Sequence, residues 1–172
     1  GLAQQTSANA GVAGVAAALV LRTEIDGGMT LADAASRVGA TVSYTLDPFD
    51  TRFYLEAQPP QFATLLRGLV KAIGAPDVRD FAAVRSAALT SAANDGASPA
   101  IAALDMLRQV TYSGTGYAFP DGGRQVSLSK LTVSNVSLFA SQYHLGPGTT
   151  VALEGAVDDA VLGAVRSAFG AI

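Results

Sequence analysis

The chain of 172 residues has no cysteine, no tryptophan, one histidine and only 15% charged residues. Without cysteine there is no disulfide framework, no thiolate nucleophile and no sulfur-ligated zinc. A metal site built on imidazoles needs at least two, so His144 alone excludes it. The three glutamates, Glu24, Glu56 and Glu154, are widely separated, so carboxylates offer no local cluster either. The 11 lysines and arginines are scattered singly in a chain of net charge −3, which leaves no electrostatic footprint for nucleic acid or an anionic membrane surface. The longest apolar run, Ala10 to Leu21, falls short of the roughly 18 to 20 residues of a spanning helix, so no direct membrane span is expected. A basic leader of the secretory or mitochondrial kind is also missing, and the sequence is expected to begin after a processing site or to be an internal piece.

What is present is small and apolar. Hydrophobic residues make up 49% of the chain, with alanine and 18 glycines prominent and only 7% aromatics, a composition suited to closely approaching helices in one domain. The stretch "NAGVAGVAAALVLRT" reads as a helix capped by Asn9 and ending near Thr23; being apolar on every face, it is expected at the centre of the fold. Gly27 and Gly28 give a turn, Thr30 with Asp33 caps a short helix, and Gly39 closes it. "ATVSYTL" and "TRFYLEA" alternate at period two around the turn "DPFD", which predicts a hairpin over Ala40 to Gln58. Beyond Pro59 and Pro60, Phe62, Leu65, Leu66, Leu69, Val70 and Ile73 follow the helical repeat to Gly74. Further helices are expected from Asp77 to about Ala93, from Ser98 and Pro99 through Val110, from Thr132 to Tyr143, and from Asp158 to Phe169. A Gly-rich surface loop is expected up to Leu131, and a third strand at "TTVALEG", 149–155. The order α-α-β-β-α-α-α-α-β-α is that of an α+β domain, with helices packed on one face of a small sheet.

Few residues invite a chemical reading. His144, at a predicted helix end, suits a cation complementing the helix dipole better than a catalytic base, since no serine lies in a Gly-x-Ser-x-Gly elbow. Asp47 and Asp50 stand where a hairpin turn wants aspartate for its own backbone. The glycines of "SGTGYAFPDGG" lack the strand-turn-helix frame of a dinucleotide loop and the Gly-Lys-Ser/Thr ending of a phosphate loop.

Taken in order, "GVAGVAAALVLRT", "VGATVSYTLDPFDTRFYLEA", "SPAIAALDMLRQVTYSGTGYAFPDG" and "LTVSNVSLFASQYHLGPGTTVALEGAVD" resemble one half-domain of the insulinase/pitrilysin family of zinc peptidases. Active members carry Gly-x-Ala-His-x-x-Glu-His in the first helix, with two zinc-binding histidines, a glutamate base and a distant glutamate as the remaining ligand. "GVAG" fits that opening, but the His-x-x-Glu-His positions fall on Gly14, Val15, Ala16, Ala17 and Ala18. Around Leu89 to Asp95, where the distant ligand would stand, there is no glutamate. The resemblance therefore implies no catalytic residue, no metal ligand, no cofactor and no enzyme activity. It also implies that residues 1–172 form a single peptidase-like half-domain, a piece of a longer two-half chain, whose antiparallel or mixed sheet lacks its first strands, with Gly1 matching the end of the second.

Non-catalytic members of that family serve as partners: the core subunits of mitochondrial respiratory complex III, the alpha subunit of the mitochondrial processing peptidase, and inactive halves of bacterial or plastid peptidases. "SANAGVAGVAAALVLRT", "YSGTGYAFPDG" and "LTVSNVSLFASQY" are most similar to the core type. The resemblance then implies a structural role in ubiquinol–cytochrome c reductase, peripheral on the matrix side of the mitochondrial inner membrane. Its partners would be other subunits of that membrane-bound complex, above all a homologous core or beta-type subunit. The alternative it leaves open is a non-catalytic alpha-type partner subunit of a mitochondrial processing peptidase, or of another zinc peptidase heterodimer, that binds substrate presequences. An unrelated α+β ligand-binding domain would need a polar pocket that the sequence does not show.

Overall fold

A computed structural model describes residues 1–25 and 27–170. The order is α1 (Val12–Arg22), α2 (Leu31–Arg37), β1 (Thr41–Leu46), β2 (Thr51–Glu56), α3 (Pro59–Gly74), α4 (Phe81–Ala97), α5 (Pro99–Thr111), α6 (Gln125–Leu128), α7 (Val133–Tyr143) and α8 (Asp159–Phe169). Single 3₁₀ turns lie at Leu2–Gln4 and Gly116–Ala118. This is the expected α+β class, with the helices on one face of a two-stranded antiparallel sheet.

Helix α1 is the axle, as its composition requires. Val12, Ala13, Ala16, Ala17, Leu19 and Val20 have no measurable exposure. Its Val12–Leu19 stretch packs with Phe81 and Val84 of α4, Leu128 and Leu131, and Val136 and Phe139 of α7. Val20 joins a second cluster, formed by Leu31 and Ala35 of α2, Ala40, and Leu65, Leu69, Ala72 and Ile73 of α3. Alanines along α1 allow these helices to approach on all sides, which a bulkier helix would forbid.

The two ends of α1 are satisfied by groups from elsewhere. Gly11, not Asn9, is the N-cap, in a left-handed conformation with φ +96°. A Gly residue has no side chain to cap with, and the Oε1 of buried Gln5 accepts from Gly11 N at 2.8 Å and Ala13 N at 3.3 Å in its place. Asn9 instead closes the preceding turn, its Oδ1 accepting from Thr6 N at 2.7 Å. At the other end, the buried Thr23 hydroxyl donates to Leu19 O and accepts from Asp77 N, both at 2.9 Å, tying α1 to the segment before α4.

The hairpin pairs Thr41 with Glu56 through Leu46 with Thr51. Val42, Phe53 and Leu55 face the helices, and the opposite face is Thr41, Ser43, Thr45, Arg52, Tyr54 and Glu56. At its turn, Asp47 and Asp50 pair with Arg52 at 3.3 and 3.1 Å instead of bonding their own backbone through their carboxylates. The carbonyls of Asp47 and Pro48 accept from Leu2 N and Ala3 N at 3.1 and 2.8 Å, which docks the first residues against the hairpin tip.

Three further expectations are corrected. Residues 149–155 form no strand: a turn joins Gly146 and Thr149, the rest is exposed without regular structure, and β-propensity without a ladder partner leaves a strand unformed. The stretch up to Leu131 is no surface loop throughout, since Gly116, Ala118, Ser127, Leu128 and Leu131 are buried. Helix α4 starts at Phe81 instead of Asp77, whose carboxylate is engaged by Arg79, and it continues past Ala93 to Ala97. Caps at Thr30, Ser98, Thr132 and Asp158 stand where the sequence puts them.

The 112–131 segment reaches the core through a backbone crossing. Gly123 has φ +80°, and a Cβ there would sit 2.6 Å from Gly11 Cα and 2.7 Å from Ala10 O. Gly122 beside it has nothing within 4 Å. Gly123→Ala is therefore expected to cost about 2 kcal/mol or more in urea unfolding, from left-handed strain plus displaced backbone, whereas Gly122→Ala stays within about 0.5 kcal/mol.

Candidate functional site

The positions that the family resemblance singles out lie on α1 and α4, and the fold brings them together. Val15, Ala16 and Ala17 are buried, while Gly14 and Ala18, one turn apart, form the half-buried edge of α1. A Cβ on Gly14 would lie 3.4 Å from Leu46 Cδ1 and 3.9 Å from Asp121 O, so this edge looks toward the hairpin and the 112–131 segment. Ala88, Leu89 and Ala92 of α4 pack against the same cluster as Ala18 and Leu46. The meeting place is built of hydrogen and methyl groups. It does not fit zinc, since glycine and alanine side chains have no donor atom, and Ala17 has no group to take a proton. Among the described residues, no three of His, Cys, Asp and Glu converge to hold an ion. Nor is any helix long and apolar enough to cross a membrane, among the described residues.

A concave surface opens beside Gly14's edge. A cleft of about 300 Å³ lies between Leu2, Pro48 and Phe49 on one side and Tyr112, Tyr117 and Phe119 on the other, with Arg108 and Asp121 at its rim. The rings meet edge to face: Phe49 and Tyr117 at 5.8 Å between centroids, Tyr112 and Tyr117 at 6.1 Å. The charged groups nearby are paired, Arg108 with Asp121 at 3.4 Å and Arg124 over the Phe119 ring at 5.4 Å. Such a cleft can seat an apolar or aromatic group. Phe49 in "DPFD" and the tyrosines of "TYSGTGYAF" are the signals in the sequence, but the pairing of turn and segment is tertiary.

His144 is buried, not placed as the dipole-complementing cation that its helix-end position suggests. It is the C-cap of α7, with its ring edge-on to Phe53 and Phe139 at 5.8 and 5.9 Å. Nδ1 lies 3.1 Å from Ile73 O, and Nε2 is buried without a partner. Burial pushes the imidazole below its ordinary value, against the opposing effect of the Ile73 carbonyl. The ring therefore acts as packing that fastens α7 to α3 and β2.

No family model matches the chain, and no curated protein matches it. Among solved structures it is similar to a chain of "Complex III2 from Candida albicans, Inz-5 bound", with a TM-score of 0.55 at 13% identity over 80% of this chain. The chain spans 31% of that neighbour's length, and the likeness is one of fold.

The state of His144 sets a sign for pH dependence. The folded chain resists the proton that the unfolded chain takes up near the ordinary value of 6.5, so this contribution is fully present above that pH and is lost as pH falls toward the depressed folded value. Unfolding free energy is expected to fall between about pH 7 and 5. In His144→Phe that slope should flatten; an unchanged slope in urea titrations at both pH values would assign it to other groups.

Proposed function

We propose that this chain is a non-catalytic half-domain of the insulinase/pitrilysin type, acting as a structural subunit of the second core protein kind in ubiquinol–cytochrome c reductase. The observation that carries the non-catalytic part is the α1–α4 contact: Ala18 packs in one cluster with Leu89 and Ala92, and neither they nor Gly14 and Ala17 on the same helix α1 carry a ligating atom or a base. The likeness in fold to a chain of a complex III structure favours this assembly over the other roles open to such a half-domain. On this reading residues 1–172 are one half of a longer chain, with other subunits of the complex as partners, a homologous core or beta-type subunit foremost. The place would be peripheral, on the matrix side of the mitochondrial inner membrane.

Two measurements test the two parts separately. Purified chain is expected to hold no stoichiometric zinc and to cleave no peptide, by elemental analysis and a quenched-fluorophore peptide panel; one tightly held zinc per chain would overturn the non-catalytic reading. Gly14→His, Ala17→Glu and Ala18→His together should not create activity, because Leu89 and Ala92, which pack with Ala18, still offer no ligand, and the buried carboxylate at 17 should itself destabilise the fold. For the assembly, an affinity-tagged chain expressed in its cell of origin should co-purify from detergent-solubilised membranes with b- and c-type haem absorbance. A tagged chain recovered free of haem-bearing subunits would sink the complex III assignment and leave the first result standing.

A further inference from the structure

The turn that leads into the crossing of Gly11 and Gly123 carries the dipeptide Asp121–Gly122. Gly123 N donates to Pro120 O at 2.9 Å, so Asp121 and Gly122 are the central residues of a β-turn. Both are exposed, whereas Gly123 directly after them is buried. The Gly122 N–H donates to no backbone carbonyl among the described residues, and the place of a Gly122 side chain is open. The Asp121 carboxylate meets Arg108 at 3.4 Å, with side chains 57 and 40% exposed, and an ion pair so open to water holds its members weakly.

We propose that Asp121–Gly122 is a site of spontaneous isoaspartate formation, and that this modification unfastens the 112–131 segment from the N-terminus of α1. In the first step the Gly122 nitrogen attacks the side-chain carboxyl carbon of Asp121: the N–Cγ bond forms, and the amide proton leaves with the carboxyl hydroxyl as water. In the second, solvent water adds to the resulting succinimide. Opening at the α-carbonyl carbon breaks its bond to Gly122 N, leaves the main chain running through Cβ and Cγ, and frees the former α-carboxyl as the side group. The water lost is regained, and nothing is oxidised or reduced. Glycine after the aspartate permits the attack, because a Cβ would crowd the nitrogen. Asp95–Gly96 has the same sequence but lies inside α4, where the helical backbone commits its amides to the ladder and holds them away from the carboxyl.

The effect follows from position. The altered link lengthens the main chain by one carbon, enlarges the ring closed by the Pro120–Gly123 bond, and displaces Gly123. That residue sits where a Cβ would already be 2.6 Å from Gly11 Cα, so a displaced backbone cannot keep the contact. Gly11 N and Ala13 N, bonded to Gln5, lie directly beneath. None of this depends on the role in complex III.

The test is peptide mapping of the full-length chain after prolonged incubation at neutral pH, with fragmentation that distinguishes the two linkages. Methyl transfer to each peptide by an isoaspartyl carboxyl methyltransferase is the second readout. Cleavage at arginine places Asp26, Asp95 and Asp121 in separate peptides. Isoaspartate is expected to accumulate at 121 about tenfold faster than at 95, because α4 must open before Asp95 can react. Gly122→Ala should slow the reaction at 121 about tenfold. Asp121→Glu, which keeps a carboxylate for Arg108, should abolish it, since the larger ring closes far more slowly. Amide hydrogen exchange at 11–13 and 123–131 should be faster in the aged chain than in the fresh one, and unchanged by ageing in Gly122→Ala. Absence of isoaspartate at 121, or equal accumulation at 121 and 95, would overturn the site. Isoaspartate at 121 with unaltered exchange at 11–13 would overturn its effect on the crossing.

Discussion

The close crossing of Gly11 and Gly123 is the constraint on which the rest of the molecule depends. It brings the 112–131 segment onto the N-terminus of α1, and through that contact Leu128 and Leu131 enter the core beneath α7. The first turn of α1 is then closed off from water, so its N–H groups need a partner from the protein, and the Gln5 carboxamide supplies one. Gln5 in turn holds the opening residues in the register that lets Leu2 and Ala3 bond to the hairpin tip. One requirement for a missing side chain at two positions thus propagates to the sheet, the first turn and the floor of the aromatic cleft.

The same economy of side chains explains the character of α1. A helix that carried imidazoles and a carboxylate at 14, 17 and 18 would need water or metal on that side, and the neighbouring elements would have to stand back. With hydrogen and methyl groups there, Leu46 approaches within contact of Gly14, and α4 closes on Ala18 with Ala88, Leu89 and Ala92. That face of α1 is a packing surface of small apolar side chains.

What was legible in the sequence was what local chemistry decides. The caps at Thr30, Thr132 and Asp158 accept from backbone N–H groups three residues on, as their positions demand, and period-two alternation gave the hairpin in register. What was not legible depends on partners distant in the chain. Gln5 caps a helix from six residues before its N-cap, a spacing without a signature. The "TTVALEG" segment has the composition of a strand but no neighbour to pair with. For α5 the repeat of Ile101, Leu104, Leu107 and Val110 announces two faces, yet periodicity is blind to which one turns inward. At His144 the helix-end position argued for a cation complementing the helix dipole, and burial between Phe139 of its own helix and Phe53 of β2 decided otherwise.

The outer face of the hairpin carries a last consequence. Thr41 bonds Glu56, and Thr45 bonds Tyr54, so this surface is polar and already knitted to itself from strand to strand. A second layer laid over it would have to strip water from hydroxyls and charges while finding little hydrocarbon beyond the Tyr54 ring to bury in exchange. Growth of the sheet is therefore restricted to one dimension: a newcomer can lengthen it sideways through main-chain bonds, and cannot sandwich it.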